Sequence, residues 1–228
     1  GFNEAVWQAL SSSTLNNHTA KYYYQDEDGR GGVTATSPNY PITGYVIKKY
    51  NNPMDAWTGT GARHIQKAYP IIRYAEILLS YAEALNNLTG PHTVELDGQP
   101  YTMSRDKEEI KKAFNQVRYR AGLPGLTANQ LNSTPEVQKQ IERERMVEFL
   151  WENRRFYDVR RWGIYEETEQ EPIRGMNPDG ATKETYYQRV IPSSSSFLTR
   201  VVDKRSVWVP IPRNEMRRLP SLDQNPGY

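Results

Sequence analysis

Two glutamates in the segment 141–163 have a spacing that acid–base chemistry can use. Glu148 and Glu152 are four residues apart, which on a helix places them on one face at about 5–6 Å between Cβ atoms. A retaining glycoside hydrolase needs two carboxyl groups at about that separation, one as acid and base and the other as nucleophile. The first hypothesis for the chain is therefore the hydrolysis of a glycosidic bond.

The residues around these glutamates favour a structural role instead. Arg145 lies three residues before Glu148, and more charged residues follow at three-residue steps after a bend. Nearby positive charge lowers the pKa of a carboxyl group, whereas a general acid needs a raised pKa. We interpret the set as a charged seam that locks one helix pair onto the next, beside Val147, Leu150 and Trp151, which are predicted to face the core. The charged seam consists of Arg145, Glu148, Glu152, Arg155, Asp158 and Arg161.

Aromatic residues before the first predicted helix are candidates for a surface on which sugars stack. A flat ring matches the apolar face of a pyranose, while amide and guanidinium groups can bond its hydroxyls. Binding residues are often found on loops, and a long irregular segment is often functional. The alternative is that most of these rings form small cores that hold the loops. The candidate ligand-binding residues are Trp7, Tyr22, Tyr23, Tyr24, Tyr50, Asn51, Asn52, Trp57 and Arg63.

The sequence contains no adequate residue pattern for a metal site, a cofactor site or a catalytic nucleophile. There is no cysteine, and His18, His64 and His92 lie far apart, each without a second histidine at ligand spacing. The acidic segment "DEDG" at 26–29 has oxygens suited to calcium but lacks the rest of a calcium-loop pattern. No arrangement of Ser, His and Asp resembles a hydrolase site. We predict no cofactor, no metal and no catalytic residue.

Charge and hydropathy narrow the class of protein further. The chain has 29 basic and 27 acidic residues, a balance too even for a protein that binds the phosphate backbone, so we expect no nucleic-acid partner. No apolar run approaches the roughly 20 residues that cross a bilayer, and no signal-peptide pattern is present. Because the sequence begins without an initiator Met, we expect it to be a mature or truncated piece.

Helical periodicity starts at Tyr69 and predicts the elements that hold the seam. Apolar residues such as Ile71, Ala75, Leu78 and Ala82 recur at three- and four-residue spacing. Stacked helix pairs of this kind are typical of tetratricopeptide-like solenoids. The predicted helices span 69–88, 104–121, 134–152 and 154–162, with a β-hairpin at 93–102 around Asp97-Gly98.

Local signals predict where some of these elements begin and end. Thr134 is the candidate N-cap of the third helix with Pro135 in its first turn, Gly122 ends the second helix, and Asn153 suits a left-handed position. The segments 1–68 and 163–228 are predicted to be rich in loops. Within them we expect a polar loop at 11–19, a short strand in "GYVIKKY" and one or two helical turns in "RNEMRRL".

Four motifs occur in an order that makes a family resemblance specific. They are "YPIIRYAEILLSYAEALN", "IKKAFNQVRYRAGLP", "IERERMVEFLWENRRFYDVRRWG" and "VWVPIPRNEMRRLPSLDQNPGY". Together they resemble the carboxy-terminal half of the SusD/RagB family of outer-membrane nutrient-binding lipoproteins, from about residue 44 to the last. Asn153 stands where that family often has a glycine. We expect the family's amino-terminal half, with its lipid-bearing cysteine, to lie outside this sequence.

The resemblance implies a mainly α fold of tetratricopeptide-like, SusD-like helix pairs with long loops and a small β-hairpin. Residues 1–228 would be one carboxy-terminal domain: a ligand-facing part at 1–68, two helix pairs at 69–162 and a loop-rich tail at 163–228. The full-length protein would be lipid-anchored on the cell-surface side of the outer membrane. Its partner would be a SusC-like TonB-dependent transporter, and the membrane contact would come only through the anchor.

Three functions remain after the sequence analysis. The first is capture of a glycan without chemistry and its delivery to the porin. The second is the same machinery with oligopeptide cargo, which the family also accommodates. The third is a glycoside hydrolase. The ring-rich loops favour a glycan over a peptide, and the arginines beside the carboxylates argue against the enzyme.

Overall fold

The computed structural model describes residues 6–11, 14–19, 29–31, 40–45, 47, 49–52, 55, 62–192 and 200–228, with only the backbone at 6–19. Its elements in chain order are β1 Val6–Ser11, β2 Thr14–Thr19, α1 Tyr74–Asn86, β3 His92–Leu96, β4 Gln99–Met103, α2 Lys107–Arg120, α3 Ala128–Leu131, α4 Thr134–Glu148, α5 Arg154–Arg161, α6 Tyr165–Gln170, α7 Lys183–Tyr186, a 3₁₀ helix Lys204–Val207 and α8 Arg213–Arg218. The chain divides into two compact units. One is residues 69–162, which we call the helical unit, and the other is residues 1–68 with 163–228, which we call the loop unit.

The expected fold class is confirmed, since the structure is mainly helical with small antiparallel hairpins. In the helical unit, α1 packs against both α2 and α4 through the predicted apolar stripes. Leu79, Ile110 and Ile141 have no exposed surface. Burying each such side chain stabilises the fold by about 1.5–3 kcal/mol. The described part of the chain has no helix long and apolar enough to cross a membrane.

Helix α1 is shorter at its amino-terminal end than the periodicity predicts. It begins at Tyr74, because Arg73 is extended with φ −124° and ψ 149°. Ile71, which the predicted stripe placed in the core, therefore precedes the helix and is 80 % exposed. The predicted β-hairpin is confirmed: β3 and β4 pair antiparallel, and Leu96 lies opposite Gln99 across a turn. Asp97 and Gly98 both have positive φ there, as a two-residue hairpin turn requires.

The caps of α2 and α4 follow from short polar side chains. Asp106 accepts hydrogen bonds from the backbone N–H groups of Glu108 and Glu109 at 2.9 and 3.0 Å, which satisfies two of the unpaired donors of α2. Helix α2 ends at the predicted place, with Gly122 at φ 68°. The N-cap of α4 is Ser133 and not Thr134, since the Ser133 hydroxyl accepts from the backbone N–H three residues later.

The apolar residues near the end of α4 do not all face the core as the sequence predicted. The helix stops at Glu148 and not at Glu152, and Phe149 turns inward with 2 % of its surface exposed. Val147 lies in the last turn of the helix on its exposed side, and Leu150 and Trp151 follow the end of the helix; the three side chains are 59, 56 and 60 % exposed. The prediction that these three side chains face the core is wrong.

The loop unit contains a hairpin that the sequence did not predict. Strands β1 and β2 pair antiparallel from Val6 opposite Thr19 to Ser11 opposite Thr14. The polar segment 11–19, predicted to be a loop, therefore lies mostly in β2. A ladder of backbone hydrogen bonds does not require apolar residues, so a polar strand leaves little periodicity to detect. The described residues of "GYVIKKY" are not in a strand, which makes that prediction wrong for them.

Tyr186 organises the backbone of the loop unit around it. Its hydroxyl donates to the carbonyl of Gly44 at 2.7 Å, and its backbone carbonyl accepts from the N–H of Asn177 at 2.9 Å. Gly175 is needed for this close packing, since a Cβ there would lie 2.5 Å from the carbonyl oxygen of Thr43. These hydrogen bonds and the close packing at Gly175 join the segment near residue 43 to the segment 175–190.

The carboxy-terminal motif folds back on itself. Two prolines remove backbone donors from the extended segment 208–212, so a regular sheet ladder cannot form there. The side-chain amide of Gln224 replaces it by accepting from the N–H of Ile211 at 2.7 Å and donating to its carbonyl at 3.0 Å. Asn225 donates to the carbonyl of Val209 at 2.7 Å. The predicted short helix in "RNEMRRL" is confirmed as α8.

Candidate functional site

The most buried ion pair of the charged seam joins α4 to α5. Arg145 donates from Nε and Nη2 to the two carboxylate oxygens of Asp158 at 2.8 and 3.0 Å, and the two side chains are 5 and 4 % exposed. A planar guanidinium that meets a carboxylate with two parallel bonds fixes the orientation of both groups. Arg145 also donates to the hydroxyl of Ser80 on α1 at 3.2 Å, so one side chain of α4 bonds with two other helices.

Both glutamates of the seam bond with an arginine that the sequence analysis did not select. Arg73 donates from Nη1 to Glu148 Oε1 at 2.7 Å and from Nε to Glu152 Oε2 at 2.9 Å. Burial disfavours the charged Arg73, but its hydrogen bonds to Glu152 and Glu148 outweigh this cost, so the pKa of Arg73 lies above its usual range. Arg120 adds bonds of 2.6 Å to both oxygens of Glu148. Arg73 was missed because it lies 75 residues before Glu148, outside any local spacing rule.

Of the remaining seam residues, Arg161 bonds with α1. Arg161 donates to Asp158 at 2.9 Å within α5, and it also donates to the two oxygens of Glu83 at 2.5 and 2.8 Å. The indole N–H of Trp162 donates to Glu83 at 2.7 Å. Burial raises the pKa of Glu83, but the bonds from Arg161 and Trp162 outweigh it, and the net pKa is lowered. Among the described residues Arg155 has no ion-pair partner, and its side chain is half-buried.

The geometry of the seam differs in detail from the spacing argument. Only the pair of Arg161 and Asp158 lies along one helix, three residues apart. Arg145, Glu148 and Glu152 instead bond with residues of other segments. Glu148 and Glu152 are acceptors of the same guanidinium, and Arg120 brings a second positive charge to Glu148. Removing one partner of such a buried pair costs about 3–5 kcal/mol.

The candidate ligand-binding residues fall into three groups. Tyr22, Tyr23, Tyr24 and Trp57 lie outside the described residues. Trp7 is in β1, paired with His18, and not in a loop as the sequence analysis expected. Tyr50, Asn51, Asn52 and Arg63 lie in described loop segments of the loop unit, where Arg63 is exposed.

Residues 49–52 form a tight turn with a left-handed residue in it. Tyr50 has φ 62°, and the ammonium of Lys49 lies 5.7 Å from the centre of its ring. Asn51 donates from its side-chain amide to the carbonyl of Ile47 at 2.5 Å. The half-buried ring and the two consecutive amides are therefore held close together on one turn.

Asp55 ties this turn to the segment that carries Arg63. Its backbone N–H donates to the carbonyl of Asn52 at 2.9 Å, and its carboxylate accepts from the backbone N–H of Ile65 at 2.8 Å. Lys67 forms an ion pair with the same carboxylate and donates to the carbonyl of Ile65 at 3.0 Å. The hydrogen bond from Lys67 and then that from Ile65 lower the pKa of Asp55. Asp55 and Lys67 could not be identified from the sequence, since a lone carboxylate 12 residues before a lysine forms no recognisable pattern.

Comparison with known proteins identifies a family and several relatives of this chain. The chain matches the SusD family over residues 1–228. SusD-like protein P2 of Formosa agariphila is 26 % identical over 231 residues, which cover 90 % of this chain and 39 % of that protein. The solved structure of BT4246 has a TM-score of 0.58 and 26 % identity, and it covers 85 % of this chain and 30 % of the other.

A third relative is a SusD-like protein, BF3747, from Bacteroides fragilis. It is 34 % identical and its TM-score is 0.49, with 69 % of this chain and 25 % of that chain covered. The chain thus spans 39 % of the curated relative that it matches and a smaller share of the two solved structures. Because the family match covers all of its residues, the chain belongs to the SusD family.

Proposed function

We propose that the chain is part of a protein that captures glycan at the cell surface without chemistry and delivers it to a TonB-dependent outer-membrane porin. The observation that carries the proposal is the family match over residues 1–228. Proteins of the SusD family are in general glycan-binding proteins of nutrient uptake. The cargo, the transporter and the anchoring of this particular protein belong to the proposal.

The surroundings of the seam carboxylates support the absence of catalysis. A glycosidase needs one carboxyl group that gives up a proton and a second that attacks or activates water. Glu148 and Glu152 both accept hydrogen bonds from Arg73, and Arg145 holds Asp158 in a buried pair. Arginine remains protonated at any physiological pH, so it cannot take the place of a carboxyl group as the acid or base of such a reaction. The arrangement suits a fixed structural contact between helices.

The described ligand candidates have groups that suit a sugar. Tyr50 offers a ring, Asn51 and Asn52 offer amides that both donate and accept, and Arg63 offers an exposed guanidinium. Asp55 holds the segments of these residues together. We include Trp7, Tyr22, Tyr23, Tyr24 and Trp57 in the proposed binding surface on the sequence argument alone.

The proposal extends to the longer protein of which this chain would be a carboxy-terminal part. Residues 1–228 would act as one SusD-like domain, with the ligand surface in 1–68 and the helix pairs of 69–162 as its scaffold. A SusC-like TonB-dependent transporter would be the partner. A lipid anchor on the amino-terminal part would hold the protein on the cell-surface side of the outer membrane.

Native affinity electrophoresis tests the proposal directly. The chain is run through gels that contain different polysaccharides, and a bound polysaccharide slows its migration. An oligopeptide panel is followed in parallel by tryptophan fluorescence. We expect retardation by at least one glycan and a weaker effect for Trp57→Ala. Binding of peptides with no retardation by any polysaccharide would contradict glycan as the cargo.

A further inference from the structure

We propose that the two segments joined by Asp55 form a site for an anionic glycan, one whose sugars carry carboxylate or sulfate groups. The site consists of Asn51, Asn52 and Arg63, with Tyr50 beside them. The inference rests on the proposed function and specifies the class of glycan that this part of the chain takes.

The fold places the two segments of the site next to each other. Asn52 and Arg63 are separated by ten residues of sequence, and no local turn would bring them together. Asp55 does so, since its backbone bonds with Asn52 at 2.9 Å and its carboxylate bonds with Ile65 at 2.8 Å and with Lys67. The Asp55 side chain is 13 % exposed, so this tie is partly shielded from water. The segment with Arg63 is therefore held next to the segment with the two amides.

The stretch of sequence that contains the site is rich in positive charge. Residues 44–67 contain four basic residues and one acidic residue, Asp55, whereas the whole chain has a net charge of only +2. The surplus of positive charge in this one segment thus exceeds that of the entire chain. The single carboxylate of the segment is paired with Lys67. A surplus of positive charge in a segment favours an anionic ligand and raises its rate of association.

The polar groups of the site have shapes that suit an anionic sugar. The planar guanidinium of Arg63 can donate two parallel hydrogen bonds, the geometry that matches a carboxylate or a sulfate. An asparagine amide donates and accepts at neighbouring atoms, which matches the neighbouring hydroxyls of a sugar ring. A neutral glycan would use the amides and the ring but would gain nothing from the concentrated positive charge.

The test compares acidic polymers with neutral forms of the same backbone. Polygalacturonate is incorporated in native gels next to gels with its carboxyl-reduced form, and chondroitin sulfate next to gels with a form that is both desulfated and carboxyl-reduced, since desulfation alone leaves its carboxylates. The variant is Arg63→Gln, and the matched control is Arg189→Gln, which removes the same charge from an exposed position elsewhere in the loop unit. Melting curves of both variants are recorded first to verify that they fold.

We expect stronger retardation by at least one acidic polymer than by its neutral form, and less retardation as the salt concentration rises. Arg63→Gln should weaken the binding of that polymer about five- to tenfold, because a charge-assisted bidentate contact is lost. Arg189→Gln should bind as the unmodified chain does.

Equal retardation by acidic and neutral forms, or unchanged binding by Arg63→Gln, would overturn the inference. So would an equal loss of binding in Arg189→Gln. Retardation by neutral glycans alone would overturn the anionic site and leave the proposed glycan capture intact. Absence of retardation by any glycan, neutral or acidic, would count against both.

Discussion

At the scale of single residues, Arg73 is the centre of the charge network in the helical unit. It bonds with Glu148 and Glu152, and its guanidinium carbon lies 5.2 Å from the centre of the Phe149 ring. Arg145 lies at the same distance from that ring. Two cations therefore enclose a buried aromatic residue while their hydrogen bonds go to carboxylates. Buried charges of this kind stabilise the fold only while each keeps the partners to which it is hydrogen-bonded.

Glu152→Gln tests the structural role of the seam. The change removes the charge opposite Arg73 and leaves one amide nitrogen without a suitable acceptor in a side chain that is 5 % exposed. We expect a loss of about 1–3 kcal/mol in the free energy of unfolding, measured by urea denaturation. Glu95→Gln, on an exposed strand of the β3–β4 hairpin, is the control and should change little. Glycan affinity should not change; a normal denaturation curve with lost binding would contradict the structural role.

The lowered pKa of Glu83 predicts how stability depends on pH. Because the pKa is lower in the folded chain than its usual value of 4.5, ionised Glu83 contributes stability that is complete above that value. This contribution is lost as the pH falls through the lowered pKa. The melting temperature of the unmodified chain should therefore exceed that of Glu83→Gln by a constant amount above about pH 5.5, and the difference should shrink below pH 4.5.

Thermal melts of both proteins from pH 3 to 7 measure this difference. Arg161 and Trp162 are the groups that bond with Glu83, and neither titrates in this range. A difference that stays constant down to pH 3 would contradict a role for the ionised carboxylate.

At the scale of elements, the bend between α4 and α5 determines which side chains reach the seam. Two residues other than glycine have positive φ there: Trp151 at 66° and Asn153 at 59°. These left-handed residues reverse the chain so that Asp158 on α5 meets Arg145 on α4. The same bend leaves Trp151 exposed. Asparagine tolerates this backbone region better than other residues with a Cβ do, and glycine tolerates it best.

Substitutions at Asn153 should reveal the energetic cost of this conformation. Asn153→Ala should lower the free energy of unfolding by about 1–2 kcal/mol, whereas Asn153→Gly should be close to neutral. Asn87→Ala is the matched control, since Asn87 ends α1 with φ −86° in the right-handed region. Urea denaturation of the three variants gives the comparison. Equal effects at the two asparagines would show that backbone conformation is not what distinguishes position 153.

At the scale of the whole molecule, the two units are built in different ways. Among the described residues, the main hydrophobic cluster of the helical unit runs from Ala75 to Phe149, and Val159 on α5 is also buried. The ion pairs that its described residues form with one another extend from Arg73 to Arg161. The loop unit instead combines segments from both ends of the sequence. In its described residues, individual hydrogen bonds such as those of Tyr186, Asp55 and Gln224 hold the segments together.

A fragment of residues 69–162 should therefore fold without the rest of the chain. We expect a helical circular-dichroism spectrum and one cooperative melting transition, because the fragment keeps its core and its charge network. The same fragment should migrate unretarded through gels that retard the whole chain, since the proposed ligand residues lie in the loop unit. An unfolded fragment, or one that binds glycan as the whole chain does, would contradict this division of roles.

Much of the helical unit could be predicted because its signals are local. Apolar residues at helical spacing predicted the helices, Asp97-Gly98 predicted the β3–β4 turn, and Asn153 predicted the left-handed position. Each signal depends on residues within a few positions of one another. The end of α4 was misplaced by four residues for a related reason, since its periodicity continues to Glu152 although the backbone does not.

Of the proposed ligand site, the sequence indicated types of residue but not their arrangement. Asn51, Asn52 and Arg63 were selected as polar groups near aromatic rings. That Asp55 and Lys67 tie their segments together required the three-dimensional structure, because the bonds join residues 10 and 12 positions apart without a repeating pattern. Trp7 was placed in a loop because the polar strand opposite it has no alternation of apolar residues.

The sequence by itself therefore determined the family, the helical architecture and the presence of a charged seam. Only the tertiary structure decided the partner of each charge: Arg73 for Glu148 and Glu152, Asp158 for Arg145, and Glu83 for Arg161. The physical reason is that helix formation depends on neighbours three and four residues away, which the sequence displays directly. An ion pair between residues 75 or 79 positions apart depends on how the helices pack, and no local spacing encodes that.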